Sequence, residues 1–311
     1  MKPTFNMKAP LLTIIIPTLN SGKTLRAALD SLLVQELQEW EAWVIDSVSK
    51  DDTLVILEEY ARRESKVRYI SEQDKGIYDA MNKGIQVARG EWLYFLGSDD
   101  KFVDERVLSD VAEELRGDRS DFVYGNIIGE GFNGPYAGLF DNDKLLTMNV
   151  SHQAVFYRSD LFRRLGPYDL RYKAYADWDF NLRCFRDAAI RKKYLDRIIA
   201  EYGPGGFSSV HDALFLREVL FPANLRMLEE KGVAYLRPIR RYDTCWRLIR
   251  NAQIRKTQEV DLLTTDQKVS ACMAKMIAWQ GRIPQGMLSV GAFSKFFMLI
   301  SYLNYRLTSS I

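Results

Sequence analysis

Between Leu11 and Asp100 the chain alternates apolar runs of strand length with stretches of helical periodicity. This alternation restricts the fold more than any other feature of its 311 residues. Leu12–Ile16 is a buried-strand run that Pro17 should end. Ser21 can cap a helix over Thr24–Val34, with Leu25, Ala28, Leu29, Leu32 and Leu33 on one face. A short strand at Trp43–Ile45 runs to Asp46, and Asp51 or Asp52 can cap a second helix over Leu54–Arg63. A third strand over Val67–Ile70 precedes a helix over Ile77–Ala88, then Gly90. A fourth strand, Trp92–Leu96, runs into Gly97-Ser98-Asp99-Asp100. This order predicts an α/β fold with a mostly parallel sheet and helices on both faces. Ligands of such sheets bind beyond the carboxyl ends of the strands. The polar clusters fall there: Thr18-Leu19-Asn20, Asp46-Ser47 and Ser98-Asp99-Asp100.

After Arg116 the pattern loosens. Strands are expected at Phe122–Tyr124, Ala154–Tyr157 and Lys193–Ala200, and helices over Ser159–Leu165 and Asp177–Phe185. The glycine-rich stretch from Gly129 to Gly138 reads as a loop or irregular hairpin, and Gly203-Pro204-Gly205-Gly206 as a break. Beyond it the chain reads as helices over 212–231, 240–256, 265–280 and 287–307. The expected organisation is a catalytic domain over 1–210, with halves at about 11–116 and 117–210, and a helical C-terminal region over 211–311.

Apolar types form 47% of the chain and charged types 27%, with a mean hydropathy of -0.22. This excludes a disordered, collagen-like or disulfide-stapled chain. The net charge of +2 is unevenly placed: residues 231–311 carry 13 Lys/Arg against 4 Asp/Glu, and the first 230 carry 30 against 37. An acidic body with a basic tail suggests different partners for the two parts. Cys184, Cys245 and Cys272 form no CxxC, which fits a reducing compartment and argues against structural zinc. No signal peptide is read at the N-terminus, so a cytoplasmic protein is expected. Met287–Tyr305 is too interrupted by polar residues to be a good spanning helix.

The segment Pro17-Thr-Leu-Asn-Ser-Gly-Lys-Thr24 ends like a phosphate-binding P-loop. Pro17 stands where that loop needs glycine, and it has no amide hydrogen to offer, so a helix start is the better reading. Asp51 and Asp52 read as turn and cap residues. Asp46, at a strand's carboxyl end, can accept hydrogen bonds from a base or a ribose. In the run Asp74–Gly84, Asp74 is either a charge near the helix start or, with Lys75 and Asn82, a group facing the ligand; Lys83 can be simply solvated. Asp99 and Asp100 repel each other without a cation, and oxygen ligation suits Mg2+ or Mn2+ shared with a substrate phosphate. The bland alternative is a turn capping a helix near Asp104. Asp179 suits the first turn of its helix, which leaves Asp177 able to act as a general base. His152, followed by Gln153, is either a hydrogen-bonded structural residue or part of a site.

Five of these pieces occur in order: Thr13-Ile-Ile-Ile-Pro-Thr-Leu-Asn20, Ile45-Asp-Ser47, Asp74–Gly84, Gly90–Asp100 and Ala176-Asp-Trp-Asp179. Together, over about residues 11–210, they resemble the family 2 glycosyltransferases of the GT-A fold, in the branch that builds bacterial surface polysaccharides. The resemblance implies a nucleotide-binding sheet, a nucleotide-diphosphate sugar donor, a UDP-sugar above all, a divalent metal and inversion at the transferred sugar. Carried over by position, Thr18 and Asp46 would contact base and ribose with Asp74 or Lys75. Asp99 would contact the ribose or sugar, Asp100 would hold the metal, and Asp177 would be the base. His152 and Gln153 would line the sugar or acceptor side. Gly203–Ser209 is a candidate flap, and His211 a further candidate for metal or phosphate. Two departures stand out. The family's Asp-Gly-Ser-x-Asp-Gly-Ser/Thr segment reads Asp46-Ser-Val-Ser-Lys-Asp-Asp-Thr53, without either glycine, and its Glu-Asp pair reads Ala176-Asp177.

Two other classes compete. A sugar nucleotidyltransferase would need a glycine- and Arg/Lys-rich loop after the first strand, where Pro17-Thr-Leu-Asn20 stands. A non-catalytic nucleotide-sugar or glycan-binding protein would be expected to lack Asp100 or Asp177. The expected acceptor is a glycan or a polyprenyl-linked sugar; no nucleic-acid partner is expected. The tail's basic clusters, Arg237/Arg240/Arg241 and Arg247/Arg250/Arg255/Lys256, and its apolar Phe293, Phe297 and Ile300, suit docking on the inner face of the cell membrane; the alternative is that the last helix packs on the catalytic domain or forms a dimer contact.

Overall fold

The computed structural model describes residues 9–117, 119–130, 132, 134–136, 138–203 and 212–231, with 274 and 277. His211, the 204–209 stretch, the helices expected over 240–256 and 287–307, and most of that over 265–280 lie outside the described residues. The chain falls into two compact units, Met1–His211 and Asp212–Ile311.

The first unit holds an eight-stranded sheet in the order β3-β2-β1-β4-β7-β6-β8-β5. Its strands are β1 (Leu12–Thr18), β2 (Trp40–Asp46), β3 (Val67–Ser71), β4 (Trp92–Phe95), β5 (Lys101–Phe102), β6 (Phe122–Gly129), β7 (Val155–Arg158) and β8 (Lys192–Tyr202). The helices are α1 (Leu25–Leu33), α2 (Thr53–Arg63), α3 (Ile77–Val87), α4 (Val107–Arg116), α5 (Asn142–Leu145), α6 (Asp160–Leu165) and α7 (Ala176–Arg186). The half from β3 to β4 is parallel, as the βαβ alternation requires. The sheet is mostly parallel as expected, since β6 also runs parallel to β8, but the other half carries the antiparallel pairings. β7 runs antiparallel to both β4 and β6, and β5 antiparallel to β8, so the sheet is mixed. The antiparallel β7 has a direct consequence for function: its first residues meet the last residues of β4, with Tyr94 opposite Phe156.

Every residue of β1 is buried, as expected of a strand covered on both faces. Leu12, Ile14 and Ile16 join Leu25, Leu29 and Leu32 of α1 in one core. Ile15 points the other way, against Gly84 of α3. A side chain at Gly84 would collide with Ile15, so glycine is what lets α3 lie close on the sheet. Pro17 does not end β1: it pairs with Ile45. The carbonyl of Ile15 accepts from the amide of Leu96 on the β4 side. The nitrogen of Pro17, two residues on, faces that same side beyond the end of the β1–β4 pairing, where no donor is wanted.

A second layer is aromatic. Phe162 stacks on Phe180 at 4.1 Å, and Phe95, Tyr157 and Tyr168 meet that pair edge-on. It fixes α7 against the sheet. Arg183 of α7 adds a polar clamp: it pairs with Asp179 at 3.0 Å and donates to the carbonyls of Leu165 and Pro167.

In the second unit the helix expected over 212–231 is present in pieces. Ala213–Phe215 (α8) passes through a wide π-type turn, Leu216–Leu220, into α9 (Phe221–Lys231). Pro222 lacks the amide that a regular helix would use there and crowds the preceding turn, which accounts for the widening.

Candidate active site

The connections that follow β1 and β2 are laced together by side chain to backbone bonds. The amides of Asn20, Ser21 and Gly22 donate to Ser49 Oγ (2.7 Å), Thr53 Oγ1 (2.8 Å) and Asp51 Oδ2 (2.8 Å). The amide of Lys50 donates to Asn20 Oδ1 at 2.8 Å. Amides engaged in this way are not presented to a phosphate, which removes the P-loop reading on physical grounds. Ser21 does not cap α1 with its side chain: its hydroxyl is bonded to Ser98 Oγ and the carbonyl of Leu19, and only its carbonyl accepts from the first turn. Asp51 is more than a turn residue, since it binds Gly22 as well as the amide and hydroxyl of Thr53.

Asp46 is fully buried at the end of β2. It accepts from Ser49 Oγ (2.5 Å), the Ser49 amide (3.1 Å) and Ser71 Oγ (2.6 Å). Thr18, its register partner on β1, is buried too. Between Asp46 and Ser49 the chain turns through Val48 at φ 56°. That region is strained for a β-branched residue, and it is where the missing glycines make themselves felt. Asp74 accepts from the amide of Gly76, and the amide of Lys75 donates to Asp79, so the carboxylates around the start of α3 hold its backbone. Gly76 itself sits at φ 120°, which only glycine takes without strain. Lys83 is anchored rather than solvated, pairing with Glu72 and donating to the carbonyl of Gln73. Asn82 faces inward and exchanges two 3.0 Å bonds with the backbone of Tyr168.

Of the predicted residues, Asp99, Asp100, His152, Gln153 and Asp177 line one cleft of about 510 Å3, and His211 lies outside the described residues. Thr18, Asp46, Asp74 and Lys75 do not line it; Thr18 and Asp46 are paired at the ends of β1 and β2, and Asp74 and Lys75 lie in the β3–α3 connection. Asp100 lies in the turn after β4 and is almost fully buried. Gly203 donates its amide to Oδ1 at 2.8 Å, and Gln153 donates Nε2 to Oδ2 at 2.7 Å. Burial, helped by the like charge of Asp99, raises the Asp100 carboxyl above the usual range. Gly203 must be glycine, because a Cβ there would strike the backbone of Asp99.

Asp177, also at the wall of this cleft, is buried in the first turn of α7. Asn149 donates to Oδ2 at 2.9 Å, and His152 Nδ1 lies 3.5 Å from the same oxygen. The Tyr78 hydroxyl is 2.7 Å from Oδ1 and 2.8 Å from the carbonyl of Ala174, and its one proton serves one of them at a time. Burial first, then the charge of Asp177, pushes the Tyr78 phenol well above its usual range, so it remains a donor. His152 and Gln153 belong to a single 3-10 turn, His152–Ala154, that leads into β7. Tyr94 pins this turn by donating to the carbonyl of Gln153 at 2.8 Å. Two adjacent residues thus touch the two carboxylates, one each.

The cleft is short of positive charge. Among the described residues no lysine or arginine pairs with Asp99, Asp100 or Asp177, although each of the three is at the wall. Hard carboxylate oxygens and uncompensated charge suit a divalent cation. Among the described residues no group of three or more His, Cys, Asp or Glu side chains is placed to share one. An ion there would take its remaining ligands from substrate oxygens and water. Sequence reasoning missed Tyr78 and Asn149 as site residues. Tyr78 lies within the Asp74–Gly84 run and one helical turn before Asn82, a signal that could have marked it.

The chain is similar to known proteins in sequence and in fold. The family model described as glycosyl transferase family 2 matches residues 13–199. A Mycobacterium bovis protein named PGL/p-HBAD biosynthesis glycosyltransferase is 42% identical over 218 residues, covering 68% of this chain and 85% of its own. In structure, S. aureus TarS 1-349 in complex with UDP-GlcNAc is similar over 87% of this chain and 91% of that one, with a TM-score of 0.57 at 18% identity. The mannosyltransferase PcManGT of Pyrobaculum calidifontis, in complex with GDP-Man and Mn2+, covers 97% of this chain and 88% of its own, with a TM-score of 0.56 at 15% identity.

Proposed function

The chain belongs to glycosyl transferase family 2, and on that premise we propose that it moves a sugar from a nucleotide-diphosphate sugar to an acceptor hydroxyl with inversion. The observation that carries this reading is the pair of buried carboxylates, Asp100 and Asp177, lining one cleft and each met by a neighbour in the same short turn. Asp177 takes the proton of the acceptor hydroxyl as that oxygen attacks the anomeric carbon. The new bond forms on the face opposite the leaving diphosphate, whose bond to the sugar breaks in the same displacement. Tyr78 and Asn149 hold the carboxylate during the transfer. Asp100, with Asp99 beside it, is the proposed holder of a divalent metal, Mn2+ or Mg2+; when bound, the ion neutralises charge on the leaving diphosphate. Thr18, Asp46, Asp74 and Lys75 shape the nucleoside end of the donor site. Tyr136, Tyr175 and Trp178 give the cleft apolar walls on which a sugar ring can lie.

We infer a UDP-sugar donor, the nucleotide class held in the TarS complex; PcManGT, in complex with GDP-Man, makes a GDP-sugar the alternative. The acceptor we infer is a lipid-linked or glycan hydroxyl, presented where the basic tail meets the inner face of the membrane. Among the described residues no helix is long and apolar enough to cross one. Release of nucleoside diphosphate from a panel of UDP- and GDP-sugars with Mn2+, alongside calorimetry of donor binding, tests the proposal. Asp100→Ala is expected to abolish release and the metal dependence of binding. Unchanged metal-dependent affinity in that variant overturns the assignment.

A further inference from the structure

Behind Asp177 a chain of side chains runs from the cleft wall into the core. Asn149 donates Nδ2 to Asp177 Oδ2 at 2.9 Å. Asn181, one helical turn after Asp177 on α7, donates Nδ2 to Asn149 Oδ1 at 2.9 Å and to the carbonyl of Val150 at 3.1 Å. Its own Oδ1 accepts from the Tyr157 hydroxyl at 2.8 Å. Asn181, Tyr157 and Val150 are all buried, and Asn149 forms part of the cleft wall.

The direction of every bond in this chain is fixed by its ends. A backbone carbonyl can only accept, so the group that Asn181 turns to Val150 is its NH2. The second hydrogen of that NH2 then meets the oxygen of Asn149. With its oxygen so engaged, Asn149 has only its own NH2 to present to Asp177, and an ionised carboxylate can only accept. Amide orientation, normally a matter of assignment, follows here from the network.

We propose that Asn149 is a positioning residue for the base, and that Asn181 sets the direction in which the Asn149 amide points. This inference rests on the reading of Asp177 as the base. The groups that surround Asp177 come from several elements: Tyr78 on α3, His152 in the turn before β7, Tyr136, and Tyr157 and Tyr168 in the aromatic layer. Of these neighbours, Asn149 is the one whose donor is aimed by a second buried amide.

Asn181→Asp, when ionised, keeps the shape but puts an acceptor where the aiming donor stood, and it leaves the Val150 carbonyl without that donor. Asn149 then turns its NH2 to the new carboxylate and its oxygen to Asp177, where two acceptors repel. In nucleoside diphosphate release from whichever of UDP-glucose, UDP-GlcNAc and GDP-mannose the unmodified chain turns over fastest, with Mn2+, kcat should fall about 10- to 100-fold, as for loss of a bond to a charged group. KM for the donor should stay within about twofold, since ground-state binding is untouched. Because Asn181 acts through Asn149, the same change in an Asn149→Ala background should add no more than about twofold, a coupling that independent structural damage does not give. A crystal structure of the Asn181→Asp variant should show the Asn149 nitrogen beside the new carboxylate. An equal loss of kcat in both backgrounds, or an Asn149 that still donates to Asp177, overturns the proposal. Should Asn181→Asp not fold, Asn149→Ala alone decides: kcat must drop with KM unchanged, and an unaltered kcat overturns it. Asp177→Asn that retained turnover would overturn the base assignment itself, whatever the asparagine variants do.

Discussion

Asp177→Asn separates chemistry from structure unusually well here, because the surroundings of Asp177 can accept an amide. In the variant the amide oxygen keeps the bond from Asn149. The new NH2 faces Tyr78, whose hydroxyl already lies 2.8 Å from the carbonyl of Ala174. Tyr78 need only turn its proton to that carbonyl and accept from the amide instead. No buried donor or acceptor is orphaned, so stability should change by no more than about 1 kcal/mol. For a unit of this length that is a shift in Tm of less than about 4 °C. Turnover should behave differently. An amide cannot take the acceptor's proton, and a general base contributes about 10²–10⁴ in rate, or roughly 3–5 kcal/mol of barrier at about 1.36 kcal/mol per decade. Nucleoside diphosphate release, donor calorimetry and a thermal melt on the same preparation give the three numbers. Donor affinity weakened more than tenfold, or a melt lowered in proportion to the lost activity, would refute the reasoning: Asp177 would then be a binding or structural residue.

Three further outcomes are expected. The Arg191 guanidinium beside Asp121 draws its carboxyl down from 3.8 to about 2. Discounted for solvent screening at the half-exposed Arg191, this contributes about 1 kcal/mol of stability, present above pH 3.8 and lost as pH falls through about 2. Urea melts of Asp121→Asn should show that deficit at pH 7 and see it close near pH 2, and a gap independent of pH contradicts the assignment. Gly84→Ala gains about 1 kcal/mol of helix propensity, but its Cβ enters Ile15, and overpacking costs about 1–3 kcal/mol. A net loss of stability is expected, with reduced turnover because Tyr78 and Asn82 ride on the same helix; a more stable variant counts against the tight α3–β1 contact. Finally, the full chain should sediment with anionic liposomes at low salt and release at high salt, at about 1 kcal/mol per basic residue near the surface. Binding no better than that of a chain ending at Lys231 removes the membrane role of the tail.

The first hundred residues were legible in detail because each element there carries its own period. β1, α2, α3 and β4 begin or end within about two residues of the positions their apolar spacing predicts. The Asp99-Asp100 pair and Asp177 were visible for a different reason: a carboxylate at a strand end or in a helix's first turn is placed by its own segment. What escaped was whatever depends on pairing across the chain. β5 spans two residues and exists by virtue of β8. The antiparallel setting of β7 has no mark in its own four residues. Asn149 sits in an aperiodic stretch, and its partners Asp177 and Asn181 are 28 and 32 residues away. Ser21 failed as a cap because the hydroxyl of Ser98, 77 residues distant, offered it a better bond.

The turn at His152–Ala154 works as a caliper. Adjacent residues bear on Asp100 and Asp177, so one backbone step of about 3.8 Å links the groups that meet the two carboxylates. The side chains of His152 and Gln153 span the rest. A gauge of that kind has a narrow tolerance, and it is zeroed from the side by Tyr94. Sequence drift in the surrounding loops can therefore reshape what the cleft admits while its two jaws keep their spacing. Drift in the turn, or in the tyrosine behind it, changes the dimension itself.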